Sequence, residues 1–448
     1  MANNSSTRDL KRVLGFSDLM GAAVGQIIGA GVMTLLGVGI GMTGRSITLA
    51  LFVAAVLVIG CALPVIVLGG TVRLRGGQYT MGALLVGEKF AGMFTIMYIF
   101  SNVSIAMYPL SFAQYFGDFF GIAGMGSEKA IALLCLTFFF VLNVLGIDKM
   151  SKVQKLVVFC MVVALGMFGA FGITKVQPGF FGEGFMTHGM LGLLSTGGLF
   201  YFAVGGATTI INLSGEAKNP TRDIPLTIVC STLGVACIYC VIAVVASGVL
   251  PIEQVANQPL TLVAKAVMPK ACFAFFMICG AMFALISTLN SQLAWSTKPV
   301  LQACDDGWLP KWLGYLHPKY KTPTVLLCIV YGTGVICIVT GLSIAVLGNM
   351  ALVLSSITNI IINVAILRLP KLVPEAWAKS KFRVSKTVLV MIAVVSGLAA
   401  AATCYLNAIQ LERALLYGNI LIFVISLGYA AFRWRSGKVH MDISYEER

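Results

Sequence analysis

The chain has 448 residues, of which 58% are hydrophobic and 11% charged, with a formal net charge of +14; its mean hydropathy is +0.93. Soluble domains carry roughly 25% charged residues, and surface-to-volume scaling leaves a water-soluble fold too little interior for this much apolar side chain. Soluble enzyme, nucleic-acid binder and disordered chain are excluded together, and one lipid-embedded all-α unit is expected.

A helix needs about 20 apolar residues to cross a bilayer. Twelve such runs follow one another, at 15–41, 47–72, 90–116, 130–147, 153–173, 190–214, 225–250, 272–303, 324–342, 346–367, 387–406 and 414–432. They are too long and too evenly apolar for outer-membrane strands, which alternate over ~10 residues. Helices satisfy their own backbone in lipid. The expected organisation is a tail at 1–14, a transport core of ten helices at 15–369, a loop at 370–386, two further helices at 387–433 and a tail at 434–448. No secretory leader is expected, because the first dozen residues are polar.

Placing both termini and the even-numbered turns in the cytoplasm puts 24 of the 31 Lys and Arg there, Lys298 among them. Six fall outside and Lys155 lies inside the fifth run. This asymmetry predicts orientation by the positive-inside rule. It also accounts for the +14 through orientation and anionic lipid, with no nucleic-acid partner.

Most of the twelve cysteines sit within apolar runs and read as small hydrophobes. Cys237 and Cys240 have C-x-x-C spacing but no second pair. His188, His317 and His440 lie between or after the runs, so no metal site, cofactor or acid–base centre is expected. Gly39-x-Gly41-x-x-Gly44 matches a dinucleotide fingerprint without the strand that fingerprint needs, and is predicted to be an extracellular turn.

Two runs carry glycines at mid-depth. The first reads Gly25-Gln26-Ile27-Ile28-Gly29-Ala30-Gly31, the sixth Phe202-Ala203-Val204-Gly205-Gly206-Ala207-Thr208. Interior glycine costs about 1 kcal/mol relative to alanine, and unwound backbone is tolerated in a membrane only where it faces protein or a cavity. Gly25-x-x-x-Gly29 also fits close helix packing. Matched interruptions in two halves point instead to a transporter site. Their separation predicts two inverted five-helix repeats with discontinuous helices 1 and 6. Half-helix N-termini would offer N–H groups to a carboxylate, and half-helix C-termini would offer carbonyls to an ammonium. Ala203, Val204 and Ala207 are expected to form small or apolar walls, Phe202 a lid, and Thr208 a polar neighbour. Asp18, Glu88, Asp118, Asp148 and Glu216 all fall near run ends or in loops, which favours a neutral substrate.

Ile28-Gly29-Ala30-Gly31-Val32-Met33 resembles the I-G-S-G-I-F element of the amino acid–polyamine–organocation (APC) superfamily. Gly215-Glu216-Ala217-Lys218-Asn219-Pro220-Thr221-Arg222-Asp223-Ile224-Pro225 is similar to its E-x-x-N-P-x-R-x-x-P stretch, with one more residue before Asn219. Asp306-Gly307-Trp308-Leu309-Pro310, the segment 317–323 and Phe382-Arg383-Val384 follow in the expected order. Phe202-Ala203-Val204-Gly205-Gly206 resembles the L-type amino acid transporter branch, with Ala207 where that branch has Trp. The resemblance implies a five-plus-five fold and alternating access. It also implies a substrate carboxylate on the backbone of Gly29, Ala30 and Gly31 and an ammonium on the carbonyls of Ile27, Phe202, Ala203 and Gly205. Many members carry a fifth-helix lysine in place of a sodium ion; Met161 stands there in this chain. Lys155 reads as a snorkelling interface residue. Ser287, Thr288 and Ser291 are the hydroxyls an ion site would need.

The expected function is therefore plasma-membrane transport of small neutral L-amino acids, by exchange or proton symport, with no obligate protein partner. The alternative is a permease or antiporter for cationic amino acids or polyamines.

Overall fold

The computed structural model describes residues 10–122, 124–182, 184–341, 344–409, 411–441 and 445–446. The side chains of Ala30 and Phe202 lie outside this description, as do residues 1–9 of the expected N-terminal tail. The described residues are mainly helical. In chain order the helices are α1 (Phe16–Ile27), α2 (Ala30–Thr43), α3 (Ile47–Gly69), α4 (Gln78–Leu85), α5 (Glu88–Ser101), α6 (Met107–Phe120), α7 (Met125–Val144), α8 (Ile147–Ile173), α9 (Gly189–Val204) and α10 (Pro220–Gly248). There follow α11 (Ile252–Val255), α12 (Leu260–Val267), α13 (Lys270–Phe275), α14 (Phe283–Asp305), α15 (Thr324–Thr340), α16 (Ile344–Ala365), α17 (Leu369–Leu372), α18 (Pro374–Lys379), α19 (Lys386–Ala408) and α20 (Arg413–Arg435). A two-residue antiparallel ladder joins β1 (Arg73–Leu74) to β2 (Tyr445–Glu446).

Ten stretches among the described residues are long and apolar enough to cross a membrane, where the sequence predicts twelve. The differences have local causes. The first two runs still give two stretches, but divided as Phe16–Met33 and Leu35–Gly69, because a tight turn at Gly44–Ser46 leads from α2 straight into α3. α9 stops at Val204 after 16 residues, and α15 has only 17. Two long stretches carry an irregular turn at mid-length: a 3-10 segment, Asn102–Ala106, joins α5 to α6, and a π-helical turn, Phe276–Met282, joins α13 to α14. Turns of the π type inside helices concentrate at functional sites.

The dinucleotide-like glycines are not all in a turn, contrary to expectation. Gly39 and Gly41 lie inside α2, where a Cβ on Gly39 would stand 2.5 Å from the Phe200 ring. Only Gly44 turns the chain, at φ +69°. All twelve cysteines are free.

The core forms around α1. It packs on α8, α10 and α14, while α3 packs against α9 and α10. Outside this group α16 lies on α19, and α20 lies on α5. Phe52, Leu134, Phe159, Leu398 and Phe432 are 63–75% exposed. Such an apolar outer shell suits lipid and not water.

Candidate functional site

Both glycine-bearing runs are interrupted. α1 ends at Ile27; Ile28 adopts φ −80°, ψ 100° and Gly29 adopts φ −145°, ψ −144° before α2 begins at Ala30. α9 ends at Val204; Gly205 is extended and Gly206 turns at φ +113°, ψ −25° into a 3-10 segment, Ala207–Leu213. A side chain is strained at positive φ of this kind. A Cβ on Gly206 would also meet Gln26 Cγ at 3.2 Å, so the two breaks lie beside each other.

The first turn of a helix has N–H groups without intrahelical acceptors. At α2 these belong to the segment beginning Ala30-Gly31, directly after the break. The last turn of α1 lies beside the second break, where a Cβ on Gly206 would stand 3.4 Å from Gln26 O. This is the arrangement that can hold a carboxylate at one end and an ammonium at the other.

Three glycines allow the close approach. A Cβ on Gly29 would lie 2.6 Å from Thr288 Oγ1; on Gly31, 2.7 Å from Ala203 Cβ; on Gly25, 1.9 Å from Gln154 Nε2. Gly31 thus lets α2 lie directly on α9. Ile27, Ile28, Ala203, Val204 and Ala207 are all buried, while Gly205, Gly206 and Thr208 are half-buried. The small residues near the second break therefore contribute mainly close packing, and the more accessible positions are the two glycines and Thr208.

The broken first helix is held by neutral donors. Thr288 Oγ1 donates to the Gly25 carbonyl at 2.8 Å and lies 3.4 Å from that of Ile28; Ser287 Oγ donates to Gly25 O at 3.1 Å; Ser291 Oγ donates to Ala22 O at 3.1 Å. Both Ser287 and Thr288 also back-bond to Ala284 O. Tyr239 Oη donates to Ile27 O at 3.3 Å. Met161 is fully buried in α8 and brings no charge. A lysine-like contact from α8 to α1 is made by an amide: Gln154 Nε2 donates to Gly21 O at 3.3 Å. Gln154 Oε1 accepts from Asn290 Nδ2 at 2.8 Å, and Asn143 Nδ2 donates to Asn290 Oδ1 at 3.0 Å. Lys155 does more than reach the interface, since its Nζ pairs with Asp18 Oδ1 at 2.8 Å.

Composition and motif alone gave no role to the side chains beneath the breaks. Trp295 Nε1 donates to Gln26 Oε1 at 3.0 Å, and the Trp295 and Tyr98 rings meet edge-on at 6.4 Å. Gln292 Nε2 donates to Ser104 Oγ at 3.0 Å, from α14 to the irregular turn of the third stretch. The available signal is a polar residue in mid-run, as at Asn290 and Gln292, which in a membrane helix points inward and needs a partner.

On the face where α1 begins, a second set of contacts closes the structure. Leu14 N donates to Glu216 O at 3.0 Å, and Lys218 N donates to Leu14 O at 2.8 Å. Arg73 Nη2 donates to Ala217 O at 2.7 Å. Lys298 Nζ pairs with Glu216 Oε1 at 2.8 Å, with both side chains under 5% exposed at 4% and 3%. Lys298 is therefore an internal helix residue and not the loop cation that its place in the charge tally suggests. Nearby, Tyr79 Oη donates to Asp306 Oδ2 at 2.7 Å. Burial, reinforced by the Asp306 charge, pushes the Tyr79 hydroxyl well above the usual phenol range, so it stays a donor. The C-terminal segment reaches the same face, where His440 N donates to Asp306 O at 3.0 Å.

Comparisons with known proteins agree with this architecture. A family model described as amino acid permease matches residues 14–429. The branched-chain amino acid permease BcaP of Bacillus subtilis is 27% identical over 347 residues, covering 72% of this chain and 74% of that one. The methylthioribose transporter of the same organism is 23% identical over 407 residues, covering 86% of each. The vacuolar cationic amino acid transporter 4 of Arabidopsis thaliana is 25% identical over 348 residues, covering 72% of this chain and 57% of its own. These relatives are named for transport, and the chain is a multi-pass membrane transporter and not an enzyme. It belongs to the amino acid permease family of the APC superfamily.

Proposed function

We propose that the chain carries neutral L-amino acids across the plasma membrane by alternating access, through exchange or proton symport. The observation that supports this best is the adjacency of the two helix breaks, Ile28–Gly29 and Gly205–Gly206, with Gly206 against Gln26. In this reading the N–H groups of Gly29, Ala30 and Gly31 receive the substrate carboxylate. The carbonyls of Ile27, Phe202, Ala203 and Gly205 receive the ammonium, and Ile28, Val204, Ala207 and Thr208 complete the surround. α9 and α15 are taken as the remaining crossings, which gives twelve, with both termini cytoplasmic. The core at 15–369 is taken as two inverted five-helix repeats.

A neutral side chain is favoured by the groups below the breaks. Gln26, Ser104, Gln292, Tyr98 and Trp295 are all uncharged: Gln292 bonds Ser104, Trp295 bonds Gln26, and the Tyr98 ring meets Trp295 edge-on. A cationic side chain would call for a buried carboxylate beside them. The name of the Bacillus relative points the same way, towards branched-chain amino acids.

Ser287 and Thr288 are the proposed coupling positions because their hydroxyls meet the α1 carbonyls at the break. Met161 has no titratable group, so coupling there does not run through a fifth-helix lysine. The test is uptake of a labelled amino-acid panel into proteoliposomes. Trans-stimulation by internal neutral amino acid identifies exchange, and acceleration by an imposed inward proton gradient identifies symport. Uptake confined to lysine, arginine or polyamines would replace this reading by the cationic one.

A further inference from the structure

We propose that Lys298 and Glu216 form the charged lock of the gate on the face where α1 begins. This inference rests on the alternating-access reading. It assigns to one ion pair the task of holding three movable elements together.

The pair stands where those elements meet. Lys298 belongs to α14, ten residues after Thr288, so it lies ~15 Å further along the helix at 1.5 Å per residue. Glu216 lies between the 3-10 segment of the sixth run and α10. Its backbone carbonyl takes the N–H of Leu14, the residue that leads into α1, and the bridge closes again from Lys218 N to Leu14 O. Arg73, after α3, holds the very next carbonyl, Ala217 O, at 2.7 Å. One carboxylate thus ties α14 to the same short segment that anchors the first helix.

The electrostatics suit a lock and not a rivet. Taking both charges out of water costs several kcal/mol per ion, and their attraction offsets this only when the other polar atoms are also satisfied. Here they are not: Glu216 Oε2 is buried with no hydrogen-bond partner. Opening this face would bring water to that oxygen and to the ammonium. The closed arrangement therefore gains from the pair while the open arrangement gains from hydration, and the balance between them is small. Trp295, three residues before Lys298 on the same helix, bonds Gln26 at the first break, so the lock lies further from the breaks than that contact, towards the face where α1 begins.

Removing one partner leaves a lone buried charge, which is strongly unfavourable in the closed form and is relieved once water reaches it. Single neutral variants should therefore shift the population towards opening on this face. The experiment compares wild type, Glu216→Gln, Lys298→Met and the charge-reversed Glu216→Lys/Lys298→Glu, all as full chains in nanodiscs. Hydrogen exchange at the amides of Leu14 and Lys218 reads the latch directly and needs no substrate. Both single variants should exchange at least ~10-fold faster, and the reversed pair should return to within ~3-fold of wild type. Apparent affinity for a neutral amino acid offered from the opposite side should fall in proportion to the closed fraction lost in the single variants. Thermal unfolding midpoints should change little, which a merely structural pair would not allow. Unchanged exchange in both single variants, or a reversed pair that exchanges as fast as they do, would overturn the proposal. If no amino acid binds the wild type, the transport reading fails while the exchange result still decides the lock. If the single variants yield no folded protein, the reversed pair alone decides it, wild-type-like exchange supporting the lock and faster exchange refuting it.

Discussion

Thr288 Oγ1 donates to the Gly25 carbonyl at 2.8 Å and would stand 2.6 Å from a Cβ placed on Gly29. One hydroxyl therefore supports the end of α1 and fills the space that lets the next residue unwind. Gly29→Ala should reduce uptake of neutral amino acids at least ~10-fold, because the methyl must displace either the hydroxyl or the break. The Thr288 Cβ would lie 3.6 Å from the new atom, an ordinary contact. Thr288→Ala should accordingly rescue part of the loss in the double variant, a coupling that a double-mutant cycle measures. Initial rates in proteoliposomes check it; strictly additive losses would contradict it.

Gly206 and Gly205 should respond differently to the same substitution. Gly206 sits at φ +113°, and strain of that kind costs of order 1–3 kcal/mol in a non-glycine residue. Gly205, at φ −69° and ψ 176°, has a backbone that alanine adopts freely. Gly206→Ala should lose more uptake and unfold at a lower temperature than Gly205→Ala, as read by transport and by the thermal midpoint of the purified protein.

The amide chain Gln154–Asn290–Asn143 should matter for stability more than for specificity. Gln154→Ala removes a donor to Gly21 O and leaves Asn290 short of a partner. Side-chain hydrogen bonds between membrane helices contribute about 0.6–2 kcal/mol each. The thermal midpoint should fall, while the ranking of competing amino acids stays as in wild type.

Trp295 is expected to set the upper size of the substrate side chain. Its ring lies against Tyr98 and its N–H holds Gln26 beside Gly206. Trp295→Ala should let phenylalanine and tryptophan compete for uptake several-fold better relative to valine. An unchanged ranking would place the side-chain pocket elsewhere. Ala203 is a poor position for the same test, because a larger side chain there would run into Gly31 before it reached any cavity.

Much of this architecture was legible in the residues, for physical reasons. Apolar run length follows from bilayer thickness, so the long helices are readable. The two breaks are readable because mid-run glycine pairs have a conformational cost that packing by itself does not explain at matched places. What stayed hidden depends on which faces meet. The pairing of Lys298 with Glu216 joins residues 82 positions apart; Lys298 falls inside the run 272–303, but nothing local marks Glu216 as buried or names it as the partner. Lys155 likewise looked like an interface lysine until the fold put Asp18 beside it. The role of Gln154 is not marked by motif spacing, since it lies seven residues before Met161; it is the missing Cβ of Gly25 that leaves room for its amide to reach Gly21 O. Gly39 and Gly41 were read as a turn on motif spacing, but their small size serves the packing of α2 on Phe200 and Asn257.

The grip of bare backbone on a zwitterion is tested most directly by competition with blocked analogues. Uptake of labelled isoleucine into proteoliposomes is measured against unlabelled isoleucine, its methyl ester and N-acetyl-isoleucine. With the N–H groups after Gly29 holding the carboxylate and the carbonyls before each break holding the ammonium, each blocked analogue should compete at least ~100-fold more weakly than isoleucine. Analogues that compete as well as the free amino acid would contradict the account.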